Sequence, residues 1–139
     1  MKPVQQKYIH IEGKQNGDCL RACLASILEV DIDTFPYFSI GMDWSEYYSN
    51  VMDTLFDLGW QCDYYIIENC KPELLESKDT EGLIIAIGES PRSTKEKRIN
   101  HAVIWRNGLI HDPHPDNTGI KDIIGFEVLT ATADKQIKR

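Results

Sequence analysis

Cys19 has the type and the position of a nucleophile, because it directly precedes an amphipathic stretch in the segment Gln-Asn-Gly-Asp-Cys at residues 15–19. A thiol at the start of a helix faces unpaired backbone N–H groups and the positive end of the helix dipole, which favour the thiolate. Gly17 permits an unusual backbone turn just before it. The position predicts a reactive cysteine whose thiol pKa is lowered, and lowered further by a histidinium partner. The alternative is a small buried hydrophobic residue, the commonest role of a free cysteine, and position alone leaves both open.

His101 and Asp112 flank the dipeptide Asn107-Gly108, a strong signal for a two-residue hairpin turn. In that hairpin Val103 lies opposite Asp112, and side chains alternate between the two faces of each strand. His101 and Asp112 therefore share a face at a diagonal Cα distance of roughly 7–8 Å, within reach of an imidazole–carboxylate contact, and His111 points the other way. The carboxylate would hold one ring nitrogen as a donor and leave the other to deprotonate a thiol. The alternative is a hydrogen bond that serves only the hairpin.

Two predicted helices precede the strands that would position these side chains. Apolar residues at steps of three and four predict a helix from near Cys19 to Val30 and a second one, capped by Asp43 or Ser45 and ended by Gly59. Strands are predicted at residues 61–67, 83–87, 101–106, 109–112 and 126–129, with a short helical turn at residues 72–77. This order predicts a single α+β domain over residues 1–139, with its core at about residues 15–130 and a frayed tail at residues 131–139.

Composition places the chain among ordinary globular domains: 139 residues, 42% hydrophobic, 27% charged, with a formal net charge of -7. A chain of this length builds a core without disulfides or a structural metal. No secretory signal is apparent at the N-terminus, and the longest apolar run, residues 83–87, is far shorter than the roughly 18 residues of a membrane span. We therefore expect a cytoplasmic protein with reduced thiols and no membrane partner. The acidic balance disfavours nucleic acid as a partner.

The other cysteines are assigned to the structural background. Cys23 lies one helical turn beyond Cys19 and is predicted to pack in the core, with a resolving thiol as the alternative; Cys62 and Cys70 are predicted to be structural. Two cysteines at helical spacing and a His-x-x-His broken by proline at residues 111–114 match no common zinc spacing, so we expect no metal and no cofactor. A redox or metal protein built on Cys19 and Cys23 is the weaker alternative.

A basic run and an aromatic cluster are candidates for the walls of a cleft. Residues 91–100 carry four cationic side chains, Arg92, Lys95, Lys97 and Arg98, against a single carboxylate. Such a run is either a solvated loop or, because it leads into His101, a lining that attracts an acidic substrate. Likewise, Trp44, Tyr47 and Tyr48 either wall a substrate groove or simply pack.

Taken together, the motifs resemble the papain-like cysteine peptidase superfamily. They are Gln15 with Gly-Asp-Cys-Leu-Arg-Ala-Cys-Leu-Ala-Ser-Ile at residues 17–27, His-Ala-Val-Ile at residues 101–104 and His-Asp-Pro at residues 111–113. They are most similar to the compact bacterial branch that includes peptidases removing bacteriocin leader peptides. The resemblance implies a papain-like fold in which an N-terminal nucleophile helix packs on a small antiparallel sheet.

The same resemblance implies roles for individual residues. Cys19 would be the nucleophile, His101 the general base and acid, Asp112 the orienting carboxylate, and Gln15 with the backbone N–H of Cys19 the oxyanion hole. We expect a thiol-dependent hydrolase or acyl transferase that acts on a protein or peptide through an acyl-enzyme.

Substrate contacts are expected from Gly17, Asp18 and Trp44, which neighbour the nucleophile or belong to the aromatic cluster. The rival hypothesis is a papain-like module that binds a peptide or small ligand without turnover. The sequence specifies neither a substrate nor an oligomeric state.

Overall fold

The computed structural model describes residues 1–71, 75 and 77–133, and it has the predicted α+β architecture. Two helices precede a five-stranded antiparallel sheet whose strand order is β1-β5-β2-β3-β4. The elements are α1 (Cys19–Leu28), α2 (Trp44–Asp57), β1 (Trp60–Ile66), β2 (Ile84–Glu89), β3 (Asn100–Trp105), β4 (Leu109–His111) and β5 (Ile123–Ala131). Most of the helical turn predicted at residues 72–77 and most of the predicted frayed tail lie outside the described residues.

Both helices begin where the sequence signals place them. The first starts at Cys19 and ends two residues earlier than predicted, because Glu29 takes a left-handed conformation with φ of 56°. The second is capped by Asp43, whose carboxylate accepts a hydrogen bond from the Glu46 N–H at 3.0 Å. Gly59, with φ of 90°, turns the chain out of this helix and into β1.

The hairpin of β3 and β4 follows its Asn-Gly signal, with φ values of 55° at Asn107 and 141° at Gly108. Ile104 pairs with His111 as predicted. Next to the turn the register shifts, so that Trp105 rather than Arg106 pairs with Leu109, which is the mark of a β-bulge.

The last strand is longer than predicted, spanning Ile123–Ala131 instead of residues 126–129. It lies inside the sheet and pairs with both β1 and β2, so neighbours on both sides extend it beyond its apolar centre. A residue in the middle of this strand therefore has a strand neighbour on each side.

The core has two parts, one on each face of the sheet. One cluster joins both helices to the sheet and includes Leu24, Leu55, Ile85 and Leu129. The other, around Val103 and Phe126, covers the opposite face. In the described part of the chain no helix is long and apolar enough to cross a membrane.

The N-terminal segment ties α1 to the end of the hairpin. The Val4 N–H donates to the Ser26 hydroxyl of α1 at 2.9 Å, and the Gln6 N–H donates to the Pro113 carbonyl at 2.8 Å. Since Pro113 follows Asp112, these bonds hold the carboxylate-bearing loop against the helix that begins at Cys19.

Candidate active site

His101 and Asp112 form the contact that the hairpin predicts. The His101 Nε2 atom lies 2.7 Å from Asp112 Oδ1, and both residues are 3% exposed. The Asp112 carboxylate also accepts the backbone N–H of His114 on Oδ1 at 2.9 Å and that of Gly119 on Oδ2 at 2.8 Å. Three donors thus fix the carboxylate in position, and the carboxylate fixes the imidazole plane.

The hydrogen-bond pattern assigns the protons of this pair. Burial acts to raise the pKa of Asp112, but the bonds from His101, His114 and Gly119 hold it below its ordinary value. An ionised carboxylate only accepts, so Nε2 of His101 must carry the hydrogen. Burial lowers the pKa of His101, against the opposing effect of Asp112. At neutral pH the imidazole is therefore neutral, and its Nδ1 atom is an acceptor that has no hydrogen bond with the described residues.

Cys19 and His101 line the same two cavities, because the start of α1 packs against β3. Cys19 itself is partly buried. The backbone N–H groups of Ala102, Leu20 and Cys19 itself favour the thiolate, but burial outweighs them and raises the thiol pKa to about 11. The sequence predicted a lowered pKa; the difference arises because the helix start is enclosed by the protein, and a desolvated thiolate is costly. The resting site holds a neutral thiol.

Asp18, which directly precedes the nucleophile, leaves the start of α1 uncapped. Its carboxylate turns back to accept the Tyr8 N–H at 2.9 Å and pairs with the Arg21 guanidinium at 3.2 Å in a buried ion pair. The backbone N–H groups of the first turn are therefore not occupied by this side chain. They remain available to a negative charge that develops next to Cys19.

A cavity of about 620 Å³ opens on one side of Cys19. Gly17, Asp18 and Trp44, the residues expected to contact substrate, all line it. Four further aromatic residues contribute to its wall: Phe38, Tyr47, Tyr48 and Tyr64. Its shape and apolar lining suit a side chain or small ligand of substantial size.

The basic run lines a second cavity, of about 500 Å³, on the other side of the nucleophile. Arg92, Lys97 and Arg98 contribute to its wall. Arg92 pairs with Asp116 at 2.7 Å, and Lys97 lies 3.6 Å from a Glu12 carboxylate oxygen. Cys19 thus lies between a cavity with aromatic walls and one rich in cations.

Gln15 is not brought to the thiol, although the resemblance implied an oxyanion role. Its backbone pairs with Ile11 in a tight loop, and its carboxamide donates to the Ile9 carbonyl at 2.6 Å. Among the described residues that line the two cavities, Gln15 does not appear. The first turn of α1 has no side-chain cap within the described part of the chain, whereas the Gln15 carboxamide is occupied by the Ile9 carbonyl.

The other cysteines occupy different surroundings. Cys23 is fully buried in the core, Cys62 lies near Tyr48, and the Cys70 thiol faces the Ile67 carbonyl at 3.9 Å. His111 contacts the Val4 carbonyl at 2.9 Å and takes no part in the pair. Across residues 1–71, 75 and 77–133, no three His, Cys, Asp or Glu side chains group as a metal site requires.

Gln6 and Glu127 are among the lining residues that the sequence analysis missed. Gln6 lines the second cavity from within the polar N-terminal segment, where no pattern marks it. Glu127 lines the first cavity, and its signal was available: it is the one charged residue in the otherwise apolar stretch of residues 123–129. A carboxylate in a buried strand is costly enough to suggest a role.

Comparison with protein-family models, with curated proteins and with solved structures finds no match to this chain. A fold class alone does not assign an activity. The function therefore has to be argued from the geometry and chemistry of the site.

Proposed function

We propose that the protein is a thiol-dependent acyl-transfer enzyme of papain-like type, a cysteine peptidase, isopeptidase or amidase acting on a protein or peptide. Cys19 is the nucleophile, His101 the general base and acid, and Asp112 the orienting carboxylate. The observation that carries the proposal is the 2.7 Å bond between buried His101 and Asp112, which leaves Nδ1 free in a cleft that Cys19 also lines.

Acylation begins with the neutral thiol. As Cys19 Sγ attacks the substrate carbonyl, His101 Nδ1 takes the thiol proton and an S–C bond forms. The carbonyl oxygen becomes an oxyanion, to which the backbone N–H of Cys19 donates. The imidazolium then gives its proton to the leaving amine, the C–N bond breaks, and a thioester remains on Cys19. Asp112 stays ionised throughout and stabilises the imidazolium.

Deacylation reverses these roles. His101 removes a proton from water, the hydroxide oxygen attacks the thioester, and Cys19 leaves as a thiolate that recovers its proton from the imidazolium. A second amine in place of water gives acyl transfer. Neither step requires a metal or a cofactor.

The high thiol pKa is compatible with this chemistry because His101 lines the same cavities as the thiol. Proton transfer from Cys19 to His101 creates two opposite charges, and such charges attract by about 4 kcal/mol when they meet at about 4 Å in a partly buried site. Deprotonation is then coupled to attack. The enzyme does not need a preformed thiolate at rest.

The test is hydrolysis of p-nitrophenyl acetate and of peptide p-nitroanilides by the wild-type protein and three variants. We expect Cys19→Ala to abolish the activity and His101→Gln to reduce it on the order of 10²- to 10⁴-fold, the usual contribution of general acid–base catalysis. Cys70→Ala is the matched control and should behave as wild type, because this thiol lies outside both cavities. Hydrolysis that survives in Cys19→Ala contradicts the proposal.

A peptide aldehyde separates turnover from simple binding. An acyl-transfer enzyme should form a thiohemiacetal at Cys19 that weakens in His101→Gln. Binding of the peptide portion without any covalent adduct would instead identify a non-catalytic binding module.

A further inference from the structure

Glu127 is a buried carboxyl group that the proposed mechanism does not use. It lies in the middle of β5, between Tyr64 of β1 and Ile85 of β2, and is 3% exposed. It nevertheless lines the same cavity as Cys19 and His101. A charged group in this position is retained only where partners compensate for its lost hydration.

The partners found in the protein satisfy only half of the carboxyl group. Oε1 accepts the Tyr48 hydroxyl at 2.7 Å, whereas Oε2 is buried and has no hydrogen-bond partner among the described residues. Burial raises the pKa of Glu127, against the Tyr48 hydroxyl and the Cys62 thiol, which favour the ionised form. A thiol is a weak donor and compensates little of the lost hydration. One carboxyl oxygen of a residue that lines the cavity therefore has no donor among the described residues.

The surroundings favour a cationic donor. Trp44, Tyr48 and Phe38 are neighbours in the wall, with Trp44 ring centroids 5.9 Å from Tyr48 and 5.2 Å from Phe38. Aromatic faces attract cations, and their apolar surface accommodates a long aliphatic chain. Arg21 also lines the cavity, but its guanidinium is bonded to Asp18, Asp33 and the Phe35 carbonyl.

We propose that Glu127 is a specificity-determining residue that selects a substrate side chain with a long apolar stem and a terminal cation, that is, lysine or arginine. The stem lies along the aromatic wall, and the cation bonds to Oε2. This inference rests on the proposed function, since the bound residue belongs to the peptide whose carbonyl reaches Cys19.

The second cavity strengthens the selection. Of the cations in its wall, Arg92 and Lys97 are paired with Asp116 and Glu12, whereas Arg98 is in no ion pair among the described residues and repels a lysine or arginine side chain. A basic residue therefore meets a carboxyl group in one cavity and an uncompensated cation in the other. Discrimination of this kind depends on a repulsive element as well as an attractive one.

The experiment compares p-nitrophenyl esters of Nα-acetyl-lysine and Nα-acetyl-norleucine, and of the corresponding dipeptides with glycine next to the ester. Lysine and norleucine have similar stems, and only lysine carries the cation. We expect wild type to prefer the lysine compound in at least one series by about tenfold or more in kcat/KM, the factor of a charge-assisted hydrogen bond. Glu127→Gln should bring the lysine-to-norleucine ratio close to one. Glu68→Gln, an exposed carboxyl group outside the cavity, should keep the wild-type ratio.

The wild-type ratio is informative even if a variant fails to fold. Suppose that p-nitrophenyl acetate is still hydrolysed at Cys19 but neither series shows a preference for lysine. That result overturns the specificity role of Glu127 and leaves the proposed function standing. If the acetate is not hydrolysed, the proposed function fails and binding is measured by Trp fluorescence with Nα-acetyl-lysine methylamide and its norleucine analogue. Selective binding of the lysine compound that is lost in Glu127→Gln then supports the cation site, and equal binding of both compounds overturns it.

Discussion

Replacement of Asp112 by asparagine changes one atom at the centre of the proposed triad. The wild-type carboxylate accepts three hydrogen bonds, from the His101 ring and from the backbone N–H groups of His114 and Gly119. Asparagine has one acceptor oxygen and one NH2 group. If its oxygen faces His101 and His114, the NH2 group opposes the Gly119 N–H. If it is turned around, the NH2 group faces His101 and forces the imidazole proton onto Nδ1, the atom that must accept the thiol proton.

Either orientation leaves a buried donor without its acceptor, which costs about 1–3 kcal/mol. We therefore expect Asp112→Asn to lower the free energy of unfolding by that amount at pH 7. Because the folded-state pKa of Asp112 lies below its ordinary value of 3.8, the stabilisation is complete above that value and is lost as the pH falls through the folded-state pKa. The difference between wild type and variant should shrink in acid.

Urea unfolding followed by circular dichroism at several pH values measures the stability, and p-nitrophenyl acetate acylation measures the chemistry. We expect the acylation rate to fall on the order of 10²- to 10⁴-fold through the displaced proton. Asp63→Asn is the matched control, since Asp63 is exposed on β1. A variant at position 112 that retains both wild-type stability and wild-type acylation would refute the geometric argument.

Three further predictions follow from the same geometry. The wild-type acylation rate should be level at neutral pH, fall in acid below the ordinary histidine pKa of 6.5, and rise again toward the thiol pKa of about 11. In His101→Gln only the alkaline rise should remain. A neutral plateau in that variant would exclude His101 as the base. Arg21→Leu should cost about 3–5 kcal/mol in urea unfolding, because it strands the buried Asp18 carboxylate, and a loss below 1 kcal/mol would show that the pair is not needed. Gly88→Ala should lower the free energy of unfolding by about 1–3 kcal/mol, since a Cβ at this position would overlap the Asp122 carbonyl oxygen. Gly88 pairs with His101 of β3, so the strain would arise next to the site. Unchanged thermal unfolding would contradict this.

Local signals in the sequence were sufficient to predict the parts of the site that depend on a single helix or a single hairpin. Helical periodicity predicted that α1 begins near Cys19. The Asn-Gly turn predicted that His101 and Asp112 share a face of the hairpin, close enough for a contact. The bulge next to Trp105 altered the register near the turn but left the Ile104–His111 pairing, and with it this contact, intact.

Features that depend on tertiary packing could not be predicted in this way. The pKa of Cys19 is set by enclosure against β3, which opposes the effect of the helix start. The orientation of Gln15 follows from the closure of its own loop on Ile11. The place of Glu127 in the cavity follows from β5 lying between two strands, a sheet order that periodicity does not reveal.

The most direct test of the central claim is to identify the acylated atom. The protein is mixed with p-nitrophenyl acetate at pH 7, quenched in acid and mapped by peptide mass spectrometry. The account predicts one acetyl group on Cys19, formed as fast in Cys70→Ala as in wild type and much more slowly in His101→Gln. Acetylation at another side chain, or acetylation of Cys19 at the same rate without His101, would contradict it.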